Sequence, residues 1–293
     1  MRVQRSQELR QRLIDRKPLE RSGHRRVSLR RHAMSTPTDW TNATIVARRV
    51  VNARCLVIHV RPDSGHVQQF LPGQFVQLGL PRLDVPPTPE GRVRLVKRSY
   101  SLASAPHETQ AYELCLALVE TGQLTPRLWP LQVGDRLWCD DAPKGHFTLE
   151  RLPGDAPLVC CATGTGIAPF VAMLRAARHA GVSRRFVMIH GVREPSDLAY
   201  DDELRGAGCT YIPLCTRADA DWQGMRGRVQ VALTRWHETT PELADLPLDP
   251  QHAHVLLCGN PAMIDEVRDL LVQRGYTLDT AKAPGTLHFE RYW

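Results

Sequence analysis

Between Asn42 and about Asp141 the apolar residues come in short bursts. NATIVARRVV (42–51), ARCLVIHV (53–60), QFVQLGL (74–80), RVRLVKRSYSL (92–102) and YELCLALV (112–119) are rich in β-branched or apolar residues and alternate in part. Gly and Pro punctuate them at Pro62–Gly65, Pro72–Gly73 and Pro86–Gly91. Closely spaced strands separated by turns predict a small antiparallel barrel, interrupted by one short helical piece near Thr125–Trp129. After Asp155 the rhythm changes. APLVCCA (156–162) reads as a buried strand, followed by a helix over 168–180 and the strand RRFVMIHG (184–191). Helix 197–206, strand CTYIPLC (209–215), helix 228–237, strand AHVLLCG (253–259) and helix 261–274 follow. Alternating strands and helices predict a doubly wound parallel sheet with helices on both faces. The expected architecture is thus two-domain: an antiparallel β-barrel over 34–153, then an α/β domain over 154–293 with an aromatic C-terminal tail.

Composition narrows the class. The chain has 293 residues, 42% hydrophobic and 24% charged, which excludes a mostly disordered or fibrous protein. Its formal charge of +7 is unevenly placed: residues 1–33 hold eleven Arg/Lys against three acids. The remaining body is close to neutral, so no nucleic-acid-binding domain is expected. The basic extension over 1–33 is expected to be disordered. It reads as an assigned start upstream of a true Met34, as a transit peptide weakened by its three acids, or as an arm for acidic surfaces. Eight cysteines show no C-x-x-C spacing and mostly sit in apolar runs, as reduced thiols of a cytoplasmic protein do. No metal site is expected. The uncharged stretch Ala156–Leu174 is interrupted by Gly164, Gly166 and Pro169, so it reads as strand, turn and helix rather than a membrane span.

The candidate chemistry lies at predicted strand ends. ATGTGIAPF (162–170) brings Thr163, Gly164, Thr165 and Gly166 to the start of a helix. Glycines there let backbone approach a phosphate, and the helix N-terminus favours negative charge; a tight turn is the plainer reading. HGVR ends in Arg193, CTR supplies Thr216 and Arg217, and RGR supplies Arg228. Arginines at successive strand ends beside a phosphate loop suit a ribose 2′-phosphate, and no acid is placed for a free 2′-hydroxyl, which favours NADP over NAD. CGNP puts the Cys258 thiol at the mouth of the same crevice, or simply marks a strand–turn–helix junction. In the barrel, RSYS sets Arg98 and Tyr100 on one strand face with Ser99 and Ser101 on the other. GQLTPRL places Gly122, Gln123, Leu124 and Thr125 at a helix start suited to a diphosphate, or at a capped surface turn. The terminal HFERYW offers Tyr292 and Trp293 as covers for a planar cofactor.

Together these residues resemble the ferredoxin–NADP reductase superfamily. RSYS is similar to its R-x-Y-[ST] flavin motif, GQLT to its diphosphate loop, GTGIAPF to its NADP pyrophosphate loop and CGNP to its nicotinamide-side motif. They occur in family order over about 40–293. The ending ERYW and the TR…RGR pair resemble the bacterial ferredoxin/flavodoxin–NADP reductases. The resemblance implies an enzyme with FAD held by Arg98, Tyr100, Ser101 and the Gly122–Thr125 loop. It implies Tyr292 on a flavin face and Trp293 near the adenosine half. It implies NADP(H) on Thr163–Gly166, with Arg193, Thr216, Arg217 and Arg228 about the 2′-phosphate. Ser101, Cys258, Glu290 and Tyr292 match positions around the reacting atoms, where hydride would pass between nicotinamide and flavin. The expected partner is an acidic ferredoxin or flavodoxin docking near Arg92, Arg94, Lys97 and Lys144, with the chain a monomer. Two alternatives remain: an NADH-dependent flavoreductase serving an oxygenase or cytochrome, and a non-enzymatic electron relay or arm-mediated binder.

Overall fold

A computed structural model describes residues 40–152, 155–239 and 241–292; the basic extension and Trp293 lie outside them. The first half contains β1 (Ala43–Val50), β2 (Cys55–Pro62), β3 (Phe75–Pro81), β4 (Leu95–Ser101), β5 (Tyr112–Ala117) and β6 (Arg136–Cys139), with helix α1 (Thr125–Leu128) before β6. The strands run β4-β3-β6-β1-β2-β5, every pair antiparallel. A bridge between Leu102 and Leu114 brings the two outer strands together, and Ala103 N donates to Glu113 O at 2.9 Å. That is the predicted barrel. Alternation assigns its faces: Leu56, Ile58 and Val60 of β2 and Tyr112, Leu114 and Leu116 of β5 fill the interior. Their neighbours Cys55, Val57 and Cys115 point outward into a second core shared with the other half. This explains why β2 is apolar almost throughout. β6 escapes the sequence pattern because RLWC is only four residues long.

The second half contains β7 (Leu158–Thr163), α2 (Ala168–His179), β8 (Phe186–Val192), α3 (Asp201–Arg205), β9 (Thr210–Cys215), β10 (Met225–Arg226), α4 (Val229–Thr234), α5 (Trp236–Thr239), β11 (His254–Gly259), α6 (Pro261–Gln273) and β12 (Leu287–Arg291). The sheet order is β10-β9-β8-β7-β11-β12, all parallel. Both faces are covered, so adjacent residues serve different cores: Cys160 joins the α2 side and Cys161 the α4–α6 side. Two helices differ from expectation. The segment read as 197–206 opens with a 3-10 turn at Pro195–Asp197, closed by a reciprocal Glu194–Asp197 capping box, and α3 begins only at Asp201. The segment read as 228–237 breaks at Arg235, which leaves the helical region. The C-terminal segment, read as a tail, instead adds β12 to the sheet, with Val255 opposite Leu287 and Gly259 opposite Arg291.

The halves are joined through Arg175 of α2. Its guanidinium donates to Glu113 Oε2 of β5 at 2.9 Å and to both Glu203 oxygens of α3 at 2.7 and 2.8 Å. It also donates to Ala103 O at 3.1 Å, and the Tyr200 hydroxyl donates to Glu113 Oε1 at 2.8 Å.

Candidate active site

The α/β half reverses strand order between β7 and β11, where a crevice opens beyond the carboxyl ends of the strands. A cavity of about 830 Å³ lies there. The predicted residues Thr163, Gly164 and Thr165 line it from the end of β7, and Tyr292 from the end of β12. Arg193, Thr216, Arg217 and Arg228 line it from beyond β8, β9 and β10. Arg193 and Arg217 have no side-chain partner among the described residues, and Arg217 N donates to Arg193 O at 2.7 Å, which holds the two loops together. Arg228 lies 3.9 Å from Glu266, both exposed. The first arginine of RGR behaves differently: Arg226 donates to the carbonyls of Ala218 and Asp219 and braces its own loop.

The two glycines of the phosphate-type loop have separate causes. Gly164 adopts φ +53, a left-handed conformation that side chains resist, with open space where a Cβ would point. Gly166 does not line the cavity; a Cβ there would run into the Cys258 carbonyl, so its bareness lets the loop pack on β11. Thr163 Oγ1 accepts from Asn260 N at 2.8 Å, and Asn260 caps α6 by accepting from Ala262 N at 2.8 Å. Beneath the loop, His190 Nε2 donates to Gly164 O at 2.8 Å. A carbonyl only accepts, so the proton is on Nε2, and Nδ1 accepts from the Tyr211 hydroxyl at 3.3 Å. Burial drives the His190 pKa down to about 4, so the ring is neutral. His190 was not singled out from the sequence; its signal was a polar residue inside the apolar run before a strand-end glycine.

A second cluster joins the halves. β11 and β12 set Cys258 opposite Glu290. The buried Ser101 hydroxyl, at the end of β4, donates to Glu290 Oε2 at 2.9 Å. Burial raises the Glu290 carboxyl to about 7, against the opposing effect of the Ser101 bond. The Tyr292 hydroxyl meets both the Ser101 hydroxyl and the Cys258 thiol. Burial drives the Cys258 thiol up, and nearby Glu290 adds to it. Ser101, Cys258, Glu290 and Tyr292 therefore converge, and Tyr292 also reaches the cavity.

The other barrel residues lie apart from this cluster. Arg98 is exposed and donates to Lys97 O at 2.8 Å. Tyr100 packs on the barrel core, and its buried hydroxyl has no partner among the described residues. Gly122 closes a turn on Val119 O at 2.8 Å, and Gln123 is exposed. Leu124 is buried in the barrel core. Thr125 opens α1 rather than capping it, and its hydroxyl accepts from Val119 N at 3.0 Å. The expected docking rim is partly engaged: Lys97 sits 3.2 Å over the Trp138 ring and the exposed Lys144 pairs with Asp140 at 3.0 Å, while Arg92 and Arg94 are exposed. No helix among the described residues is long and apolar enough to cross a membrane.

The oxidoreductase NAD-binding domain family matches residues 160–269. Ferredoxin–NADP reductase B of Sorangium cellulosum is 35% identical over 234 residues, covering 78% of this chain and 89% of that protein. The flavodoxin/ferredoxin–NADP reductase of Escherichia coli is 30% identical over 233 residues, with the same two coverages of 78% and 89%. The solved structure of a ferredoxin NADP+ reductase from Neisseria gonorrhoeae, with bound FAD and NADP, is similar with a TM-score of 0.73 at 25% identity, covering 88% of this chain and 100% of that one. The chain belongs to the ferredoxin/flavodoxin–NADP reductase family.

Proposed function

We propose that this chain, an NADP-linked flavin oxidoreductase by its family, passes electrons from NADPH through bound FAD to a ferredoxin or flavodoxin. The observation that carries the proposal is the convergence of Ser101, Cys258, Glu290 and Tyr292 beside a cavity walled by Arg193, Arg217 and Arg228. The barrel residues fit a flavin. Tyr100 has a buried hydroxyl that the described residues leave unpartnered, and a buried hydroxyl is costly unless something hydrogen-bonds it. Tyr100, Arg98 and the Gly122–Thr125 turn are the residues that would hold the FAD. When bound, FAD converts a hydride into single electrons.

The chain's own residues bind, orient and manage protons. Arg193, Arg217 and Arg228 hold the ribose 2′-phosphate by charge-assisted hydrogen bonds, and the Thr163–Thr165 backbone receives the pyrophosphate. Cys258 and Tyr292 shape the space for the nicotinamide. Glu290, with its pKa near 7, takes up or releases a proton at its carboxylate near neutral pH, and Ser101 Oγ carries that proton toward the reacting atoms. Arg92 and Arg94 meet the acidic carrier.

One experiment tests nucleotide and carrier together. Reduction of a flavodoxin is followed with NADPH or NADH, at low and high salt, in the wild type and in Arg193→Ala/Arg217→Ala. The double variant should raise KM for NADPH by roughly 10–100-fold and leave that for NADH within about twofold. Flavodoxin reduction should fall steeply with salt while reduction of a small neutral dye holds. Equal losses with both nucleotides overturn the 2′-phosphate assignment; equal salt dependence overturns the acidic carrier.

A further inference from the structure

We propose that Cys55 and Cys115 form an oxidative modification site, at which hydrogen peroxide joins their sulfurs in a disulfide on the wall of the cavity. The proposal is independent of the nucleotide and carrier assigned above.

The pairing follows from strand register. β2 and β5 run antiparallel with Cys55 opposite Ala117 and Val57 opposite Cys115. The two cysteines are therefore diagonal neighbours on one face, the face turned away from the barrel interior. Their sulfurs lie 3.7 Å apart. Cys55 is the first residue of β2, next to the turn braced by Asn52 Oδ1, which accepts from Cys55 N at 2.8 Å. Diagonal neighbours stand wider than directly opposed residues, so closing the sulfurs from 3.7 Å to the roughly 2 Å of a disulfide draws the strand end at Cys55 toward β5 as its side chain rotates, and a first strand residue beside a turn is where such a shift disturbs fewest ladder bonds.

Access and reactivity select the same pair. Both cysteines line the 830 Å³ cavity, although each is nearly closed off from bulk solvent. Small uncharged oxidants can reach them, and bulky reagents cannot. Of the eight thiols no other two are within hydrogen-bond reach of each other among the described residues. Cys160 and Cys161 are adjacent in sequence but face opposite sides of the sheet. Cys209 is the most exposed, yet it donates to Leu204 O at 3.4 Å and burial raises its pKa to about 11. Cys55 moves the other way: the hydrogen bond from Cys115 favours its thiolate, and Arg49 adds to the effect. Thiolates are the nucleophiles of this chemistry.

The steps balance. Cys55 thiolate attacks one peroxide oxygen; an S–O bond forms, the O–O bond breaks, and the departing hydroxide takes the Cys115 proton and leaves as water. Cys115 thiolate then attacks the Cys55 sulfenic sulfur; the S–S bond forms, the S–O bond breaks, and a proton from solvent releases a second water. Two thiols and one hydrogen peroxide give one disulfide and two waters, and a dithiol reductant reverses the change.

The test treats the purified full-length holoprotein with a small excess of hydrogen peroxide, removes the peroxide, unfolds the chain, alkylates the remaining thiols and maps peptides without reduction. The expected result is a linked peptide joining Cys55 to Cys115, lost on treatment with dithiothreitol. In Cys115→Ala, Cys55 should stop at the sulfenic acid, which dimedone traps when the oxidised chain is unfolded in its presence; in Cys55→Ala, Cys115 should stay unmodified. The proposal is overturned if both thiols remain alkylatable at peroxide levels that already oxidise Cys209, or if the link forms between another pair. The wild-type map decides this even if a variant folds poorly.

Discussion

The α/β half carries most of its candidate nucleotide-binding residues at or just beyond strand ends, whereas the barrel half carries its candidates along strands and in one turn. Thr163 ends β7 with Gly164 and Thr165 after it, Arg193 follows β8, and Thr216 and Arg217 follow β9. Tyr100 and Ser101 lie within β4 itself. The contrast comes from how each sheet is covered. The parallel sheet is packed on both faces, so a polar side chain at mid-strand would be buried, and only the ends present free backbone and soluble side chains. His190 within β8 shows the cost, since it stays neutral and has both ring nitrogens hydrogen-bonded, and Glu290 within β12 shows it again in a carboxyl that burial raises to about 7. The barrel packs one face inward and leaves alternate positions for the seam and solvent. Its Ser101 hydroxyl therefore meets the other half from a strand face. The Ser101–Glu290 bond is the point at which the two arrangements meet.

The largest expected effect breaks the joint between the halves. Arg175 sits against Glu113, whose carboxylate is buried, and Glu203. Arg175→Ala would leave the Glu113 charge facing the seam without its counter-ion. Losing one partner of a buried pair costs about 3–5 kcal/mol. Urea unfolding should show a loss of that size, and adding Glu113→Gln should recover part of it. A loss under about 1 kcal/mol would mean that the seam is held by its apolar contacts alone and that the halves are more independent than described.

A smaller effect separates the two glycines of the loop after β7. Gly166→Ala drives a methyl into the Cys258 backbone carbonyl, and overpacking of this kind costs about 2 kcal/mol. Gly164→Ala meets open space and bears only the left-handed strain of about 1 kcal/mol. Thermal melts of the two variants should rank in that order; the reverse ranking would put the packing constraint on the wrong glycine. This pair also marks how far the sequence could be read. The motif GTG announced a phosphate-type loop after a strand, but not which glycine served the turn and which served packing. The rhythm of strands and helices was legible because both sheets repeat it. β6 was not, being four residues long, and neither was β12, whose alternating Leu287, His288, Phe289 and Glu290 were masked by the aromatic ending. Pairings across long sequence distance were the least legible. Ser101 and Glu290 are 189 positions apart, and only resemblance brought them into one list of candidates. The contact of Cys55 with Cys115 needed the β2–β5 register.

The smallest expected effect probes the meeting point itself. Glu290 is raised from the ordinary carboxylate value of 4.5 to about 7 in the folded chain. The folded state therefore keeps a proton that the unfolded chain releases. That contribution to stability is full below pH 4.5 and is lost as pH rises through about 7. His190 works in the opposite sense: lowered to about 4 by burial, it costs stability as pH falls below 6.5. A melting profile of the wild type alone mixes the two. The difference between wild type and Glu290→Gln isolates the carboxyl, and it should decline by about 1 kcal/mol between pH 5 and 8 after solvent screening is counted. Ser101→Ala then sharpens the comparison. The Ser101 bond holds the Glu290 carboxyl down against burial, so removing it should shift the midpoint of the decline above 7. A midpoint that stays in place would show that the barrel's hydroxyl does not tune the proton affinity of the α/β half's carboxyl, and the two halves would then share a cavity without sharing a proton.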